Sequence, residues 1–192
     1  FGWTARYSGE DNKLGNANVR FVGGKNELGV ISEATKNSQI ASIDEKIAKL
    51  KNQISISSNP AEKKLKSQRI DKLIKKKKTL TTYFVTTSQD QLLAAEDDIV
   101  TKELHLPVGK KVLFKFRSQD VIHSAYLPHF RVQMNCVPGT TTQFAFTPTI
   151  TTDAMKKEVG NDLFEYVLLC NKICGNAHYN MQMKVVVETE EE

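Results

Sequence analysis

The sequence has no hydrophobic run long enough to cross a membrane. Its 192 residues contain no stretch of 18 or more consecutive apolar residues, whereas a bilayer-spanning helix needs about 20. No apolar signal-peptide core opens the chain, and the first residue is Phe1 rather than Met. We therefore expect a soluble piece of a longer protein. Its hydrophobic content of 40% is sufficient for a globular core in a chain of this length.

Cysteine is also scarce, and its three residues cannot all pair with one another. Two of them, Cys170 and Cys174, lie four positions apart in the segment CNKICGNAHYNM, which also contains His178 and Met181. This grouping favours metal ligation over a disulfide framework. We expect the third cysteine, Cys136, to be a small buried residue of the core.

The donor types in that segment narrow the choice of metal. Thiolates suit copper(I), zinc and iron–sulfur clusters, imidazole suits copper and zinc, and zinc rarely takes a thioether. Met181 therefore favours copper, with a structural zinc site or a buried disulfide as alternatives. Two thiolates four residues apart on a turn can bridge two copper ions, which would then require a second imidazole. The candidate is His123 in SQDVIHSAYLPHF, placed after a strand and before a proline turn.

Acidic and aromatic residues are sparse in one basic segment. Between Lys36 and Lys78 there are thirteen Lys/Arg against four Asp/Glu, a net +9 that leaves −4 for the remainder of a chain of net charge +5. This basic face is either a solvated surface or a contact for anionic lipid headgroups or an acidic partner subunit. Nucleic acid is not expected, because residues 38–80 contain no aromatic side chain to stack on bases.

The same segment has helical periodicity. Apolar residues recur three and four positions apart, the spacing of a narrow buried stripe, at Ile40, Ile43, Ile47, Leu50 and Ile54. Asn59 and Pro60 then provide a helix N-cap and a first helical residue. A second, less regular stripe follows at Leu65, Ile70, Leu73, Ile74 and Leu80. We predict an antiparallel helical hairpin, residues 36–82, inserted in a single domain of residues 1–192.

The C-terminal half of the chain predicts β-strands. Short runs rich in β-branched and aromatic residues occur at 111–116, 140–148, 164–170 and 183–188, separated by turns that contain Pro and Gly. The spacing of these runs predicts an antiparallel β-sandwich.

Two segments together resemble a known family. DVIHSAYLPHFRVQMNCVPG and CNKICGNAHYNMQMKVVVE are similar to the copper-binding domain of cytochrome c oxidase subunit II, and FGWTARYSG resembles the aromatic segment after that family's second membrane helix. The likeness covers residues 1–24 and 83–192. It implies an all-β, cupredoxin-like Greek-key sandwich that carries the helical hairpin as an insertion. It also implies a position on the outer, periplasmic face of an energy-coupling membrane, with membrane anchors outside this sequence.

The resemblance further implies a binuclear copper (CuA) centre. Two thiolates would bridge two copper ions, each ion would be capped by one imidazole, and each would have one weak ligand. The six positions are Cys170 and Cys174 as bridges, His123 and His178 as caps, and Met181 and the Lys172 carbonyl as weak ligands.

Two positions concern the surroundings of that centre. The family usually has Glu where this chain has Lys172, and the Glu side chain reaches a magnesium ion. Because an ammonium cannot ligate a hard cation, our hypothesis is that Lys172 replaces part of the positive charge of that ion. The family's electron-accepting aromatic corresponds to Phe1, and Trp3 lies on the same face of a strand two positions on.

The function implied by the resemblance is electron transfer within a terminal oxidase. The centre would accept electrons from a cytochrome c, separate or fused to a neighbouring subunit, and pass them to haem in subunit I. Enzyme activity would belong to the oxygen-reducing complex, and the isolated domain would be an electron carrier. The alternatives are the CuA domain of a nitrous oxide reductase and a copper chaperone that holds a single copper(I).

Overall fold

The computed structural model describes residues 2–18, 21–22 and 26–189. The chain divides into two compact units, one of Phe1–Arg6 with Val100–Glu192 and one of Tyr7–Ile99. We call the first the β unit and the second the helical unit. The chain leaves the β unit along strand β1 (Ala5–Tyr7) and rejoins it along β2 (Ile99–Thr101), and these strands pair as a two-stranded sheet.

The β unit is a sandwich of two further sheets. The seven strands are β3 (Leu104–Pro107), β4 (Val112–Phe116), β5 (His123–Leu127), β6 (Val132–Cys136), β7 (Thr142–Phe146), β8 (Tyr166–Cys170) and β9 (Gln182–Glu188). One sheet has the order β3-β9-β8-β5-β6, and the other pairs β4 with β7. The four predicted strands correspond to β4, β7, β8 and β9, which confirms the predicted sandwich.

One pairing differs from the antiparallel arrangement predicted. Strand β3 pairs with β9 in parallel, with Leu104 opposite Val185, whereas the other pairs of both sandwich sheets are antiparallel. The alternation of apolar residues reports which face of a strand is buried but not the direction of its neighbour. The parallel partner of β3 is far away in sequence, so local turn signals carried no information about it.

The core of the β unit follows strand alternation. In β8, Tyr166, Leu168 and Cys170 are buried, and in β9 every second residue from Met183 is buried. The Phe130 ring connects the two sheets. Its centroid lies 5.0 Å from that of Phe146 in β7 and 4.8 Å from that of Tyr166 in β8. The packing therefore holds the first residue of β8, the strand that ends at Cys170, against the second sheet.

The β unit also contains a short helix that the sequence did not predict. Helix α4, Thr152–Val159 in chain order after three earlier helices, begins at the N-cap Thr151 and ends at Gly160, which has a left-handed backbone conformation. The side chain of Thr152 accepts a hydrogen bond from the Val187 backbone at 2.8 Å. Its two turns are too short to give a clear helical period.

The helical unit contains the predicted hairpin. Helix α1 (Glu33–Ile56) and helix α2 (Pro60–Thr86) pack against each other, and a short helix α3 (Gln89–Leu93) follows. Asn59 is the N-cap of α2 as predicted, since its side chain accepts from the Ala61 and Glu62 backbones. Helix α1 begins earlier than its apolar stripe because Ser32 and Thr35 form a reciprocal capping box.

The buried stripe of α2 is more regular than predicted. Leu65 and Ile74 are 52% and 51% exposed, so their assignment to the stripe was wrong. The side chains turned inward are spaced four, three, four, three and four apart, and two of the stripe positions are occupied by the aliphatic stems of lysines. They are Lys66, Ile70, Leu73, Lys77, Leu80 and Phe84.

The helices are longer than the predicted hairpin, 33–86 instead of 36–82, and the compact unit extends further still. Residues on both sides of the hairpin complete its core, in a cluster of Phe21, Ile31, Leu80, Phe84 and Leu92. The ends of the unit lie close together: the Asp11 backbone donates to Asp97 at 3.1 Å. A side chain at Gly9 would come within 2.3 Å of the Asp97 carbonyl.

Candidate metal centre

The loop between β8 and β9 turns back on itself directly after the last residue of β8. The Cys170 backbone donates to the Met181 carbonyl at 3.1 Å, which closes the loop at its base. Gly175 has φ 142°, a conformation that side chains disfavour, and a 3₁₀ turn spans His178–Asn180. This path brings Cys170, Cys174 and Met181 into one buried cluster.

The two thiols lie side by side, each with an imidazole and a weak donor of its own. The Sγ atoms of Cys170 and Cys174 are 3.8 Å apart. The Lys172 carbonyl lies 3.2 Å from the first sulfur, and Met181 Sδ lies 3.9 Å from the second. His178 Nδ1 is 3.5 Å from Cys174 Sγ.

The remaining imidazole comes from the other segment. His123 does not lie between a strand and a turn; it is the first residue of β5, because β5 begins earlier than the sequence indicated. Its Nδ1 lies 4.0 Å from Cys170 Sγ, across 47 residues of sequence. The donor atoms of His123, Cys170 and Cys174 all lie within 4.8 Å of one another, and all three residues are buried.

Asp120 orients His123 and was not assigned a role from the sequence. His123 Nε2 donates to the Asp120 carboxylate at 2.8 Å, so in the neutral ring the other nitrogen, Nδ1, is the acceptor and faces the Cys170 thiol. Burial acts to raise the pKa of Asp120, but hydrogen bonds from His123 and from the Val121 backbone outweigh it, so the pKa lies below its ordinary value. The one sequence signal that could have indicated this role is the position of Asp120, three residues before the histidine.

The donor set fits copper. Two thiols, two imidazoles, a thioether and a carbonyl converge, a combination of soft and borderline ligands that suits copper. Burial and the neighbouring Cys170 thiol raise the pKa of Cys174, so binding of a metal ion must displace the thiol proton.

The neighbouring sulfur side chains lie apart from this set. Met183 is buried within β9, and the cluster with the cysteines contains Met181 instead. Cys136 is fully buried opposite His123 in the β5–β6 register. Burial raises the pKa of Cys136 to about 11, as expected for an inert core thiol. The side chain of Lys172 is exposed.

Of the two aromatic residues predicted to accept electrons, Trp3 lies beside the candidate metal centre. It packs against the cluster of Cys170, Cys174 and Met181, and its ring meets that of His123 edge to face at 6.4 Å between centroids. The indole nitrogen is buried without a hydrogen-bond partner among the described residues. Phe1 lies outside the described residues.

A cupredoxin-like sandwich that presents buried thiols, imidazoles and a thioether beside the β8–β9 loop defines a metal-binding domain of the cupredoxin class. The family described as "Cytochrome C oxidase subunit II, periplasmic domain" matches residues 69–189, more than half of the chain. The chain belongs to this family. The segment FGWTARYSG, which was expected to resemble the stretch after the family's second membrane helix, lies outside the match.

Individual relatives agree with the family. The chain is 41% identical over 97 residues to an alternative cytochrome c oxidase subunit 2 of Bradyrhizobium diazoefficiens, across 50% of this chain and 31% of that protein. It is 37% identical over 98 residues to a cytochrome c oxidase subunit 2 of Thermostichus vulcanus, across 50% and 26%. The matched region therefore spans about a third or less of the length of these relatives.

Among solved structures, the periplasmic domain of subunit II of cytochrome oxidase of Bradyrhizobium japonicum is similar, at 25% identity and a TM-score of 0.39. The match covers 48% of this chain and 58% of that chain. Membership of a family of periplasmic domains confirms the predicted periplasmic location and implies copper. Within the part of the chain that the structure describes, no helix combines the length and apolar character of a membrane span.

Proposed function

We propose that the β unit is the electron-accepting copper domain of a haem–copper terminal oxidase, with two copper ions held by His123, Cys170, Lys172, Cys174, His178 and Met181. When bound, the copper pair would supply a one-electron redox centre with its charge shared over two metals. It would receive electrons from a cytochrome c and deliver them to haem in subunit I. Reduction of oxygen would belong to the complex.

One observation carries this proposal, namely the near-symmetry of the donors about two adjacent thiols. With the Sγ atoms 3.8 Å apart, each thiol has one imidazole nitrogen within 4.0 Å. Each also has one weak donor, a carbonyl or a thioether, within 3.9 Å. A single tetrahedral ion needs four donors, so six donors arranged as two sets favour two ions.

The protein's contribution to electron transfer is to hold these donors still. Cys170, Cys174, Met181 and His123 are between 4% and 8% exposed, so the packed core restricts their rotamers. The hydrogen bond to Asp120 fixes the His123 ring. A site held in this way reorganises little when its charge changes by one, because its ligands have no room to move.

The loop also offers an apolar centre for a redox partner. Ile173 and Tyr179 lie on the metal-binding loop and are 90% and 88% exposed. Large exposed side chains of this kind favour docking of a partner surface. Trp3, which packs on the thiol cluster, would be the aromatic that receives the electron. Docking supported by charges around the loop would weaken with salt.

Lys172 distinguishes this chain from the pattern of the family. Its carbonyl faces the Cys170 sulfur at 3.2 Å, while its side chain is exposed and free to place an ammonium where the family has a carboxylate. We expect no magnesium to bind at this point. Unchanged magnesium affinity in the assembled complex would contradict this part of the proposal.

The test is to load the chain with copper and count the ions. We expect two coppers per chain and an electron paramagnetic resonance spectrum with hyperfine coupling to both nuclei. Met181→Leu should retain both ions and shift the reduction potential, since a weak axial ligand tunes it. One copper per chain, or a colourless product, would contradict the proposal.

One observation favours a second candidate, a copper chaperone. The buried trio of His123, Cys170 and Cys174 could hold a single ion without the other donors. A chaperone would bind one exchangeable copper(I) and would not require Met181. The copper count and the effect of Met181→Leu therefore separate the two functions.

A further inference from the structure

A groove runs between the two long helices on one side of the hairpin. Leu50 of α1 and Leu73 of α2 line it, and its volume is about 410 Å³. The apolar floor is bordered by cations from both helices. These cations are Lys46 and Lys49 of α1 and Arg69 and Lys72 of α2.

A second cavity of about 440 Å³ lies along α1 and shares Lys46 with the groove. Small side chains such as Ser38 and Ser42 line this part, and Lys76 of α2 adds a fifth cation. From Ala34 to Gln53 the lined face of α1 is about 28 Å long, at about 1.5 Å per residue. Because these side chains are small, the backbone of a bound segment could approach α1 closely there.

The charges of this face are uncompensated. Neither cavity is lined by an acidic residue, and the five cations have no ion-pair partner within the described part of the chain. Two lysines outside the groove are paired: Lys77 binds Asp44 at 2.6 Å, and Lys66 binds Glu62 at 2.5 Å. Other exposed lysines of the hairpin, such as Lys64 and Lys75, have no ion pair among the described residues either. The groove is therefore distinguished by the placement of five cations around an apolar floor.

We infer that this groove binds an acidic amphipathic helix of a partner protein. A helix laid between α1 and α2 would place apolar residues on Leu50 and Leu73 and acidic residues against the cations of either rim. On α2, Arg69, Lys72 and Lys76 are spaced three and four apart, the spacing at which side chains share one helical face. The occupant would be about 20 residues long.

Other anionic ligands fit the groove less well. A bilayer is flat and would leave the recessed apolar floor uncovered, and one phospholipid has too few charges for five cations. Nucleic acid would meet no aromatic side chain among the lining residues. Because the cations that border the groove are exposed to solvent, their attraction for an acidic helix is screened by salt, and we expect the contact to weaken as salt is added.

The test uses the full 192-residue chain and a synthetic peptide of three heptads. The peptide has Leu at the first and fourth positions of each heptad and Glu at the second, fifth and seventh, with a fluorescent label for anisotropy. A control peptide has Gln in place of Glu. We expect the acidic peptide to bind, the Gln peptide to bind at least about tenfold more weakly, and added salt to reduce binding.

Two protein variants of equal charge locate the site. Lys49→Glu with Arg69→Glu should weaken binding about tenfold, whereas Lys64→Glu with Lys75→Glu, on exposed positions outside both cavities, should change it less than about twofold. Circular dichroism checks that both variants keep their helices. Absence of peptide binding, or equal losses in both variants, would overturn the inference. So would binding to vesicles of phosphatidylglycerol that depends on Lys49 and Arg69 while peptide binding does not.

Discussion

The β unit and the helical unit place their reactive groups in opposite ways. In the β unit, two sheets bury the sulfur and imidazole donors, and His123 and both thiol groups are 5% to 8% exposed. In the helical unit a single apolar stripe is buried, and the charged groups stand on the surface around it. The difference shows that a rigid metal centre needs donor side chains held inside a packed core. A weak docking surface needs only charged side chains spaced so that they share one face of a helix.

The largest expected effect is the loss of one thiol. Cys174→Ser removes a sulfur that lies 3.5 Å from His178 Nδ1 and 3.8 Å from the Cys170 sulfur. A hydroxyl is a poor ligand for copper(I), so we expect the shared-valence spectrum to be abolished and fewer than two coppers to remain. Metal analysis with electron paramagnetic resonance measures both. The matched control is Cys136→Ala, which should keep two coppers; an intact spectrum in Cys174→Ser would refute the bridging role.

A smaller effect is expected at Asp120. Asp120→Ala removes the acceptor of the 2.8 Å hydrogen bond from His123, so the ring loses its fixed tautomer and orientation. Changes of this kind lower metal affinity about 10- to 100-fold. Competition with a copper chelator measures the change. Asp162→Ala, on an exposed turn, is the control, and equal affinities in the two variants would show that Asp120 does not position the histidine.

In the helical unit, Leu80 tests whether the core and the metal centre are independent. Leu80 is fully buried with Phe21, Ile31, Phe84 and Leu92, so Leu80→Ala should lower the free energy of unfolding of this unit by about 2–5 kcal/mol. Urea titration followed by far-ultraviolet circular dichroism measures it, while the copper spectrum should be unchanged. Ile56→Ala, at a residue 79% exposed, should have little effect. Loss of copper in Leu80→Ala would show that the units depend on each other.

The N-cap of α2 should contribute less. The Asn59 side chain accepts hydrogen bonds from two backbone groups at the start of the helix, and replacement of such a cap by Ala costs about 1 kcal/mol. The same urea titration applies to Asn59→Ala. The control is Asn52→Ala, at an exposed position of helix α1, which should not lower the free energy of unfolding. Equal stability of the two variants would show that the cap is not needed.

The smallest expected effect on copper binding comes from deletion of the helical unit. Because β1 ends at Tyr7 and pairs with β2, which begins at Ile99, a short Gly-Ser linker can replace residues 8–98. All six proposed ligand positions remain in this variant. We expect it to bind two coppers with the unaltered spectrum, and a variant that folds without binding copper would show that the helical unit supports the centre.

Much of the candidate site could be predicted because its proposed ligand positions lie close together in sequence. Five of the six positions fall in the segment from Cys170 to Met181, and His123 was identified from the residues around it. Asp120 was visible in the same segment, but only the orientation of the imidazole shows what it does. Met181 rather than Met183 lies in the cysteine cluster, which follows from the 3₁₀ turn at His178–Asn180 and not from strand alternation.

The sequence by itself determined strands β4, β7, β8 and β9, the hairpin and the donor types, since these depend on side-chain chemistry and on local periods of two or about 3.6 residues. Only the tertiary structure decided that β3 lies parallel to β9, that His123 reaches Cys170 across 47 residues, and which lysines of the hairpin remain unpaired. Each of these depends on which distant segments pack together. Local sequence patterns do not encode that choice, because it is made by the burial of whole faces at once.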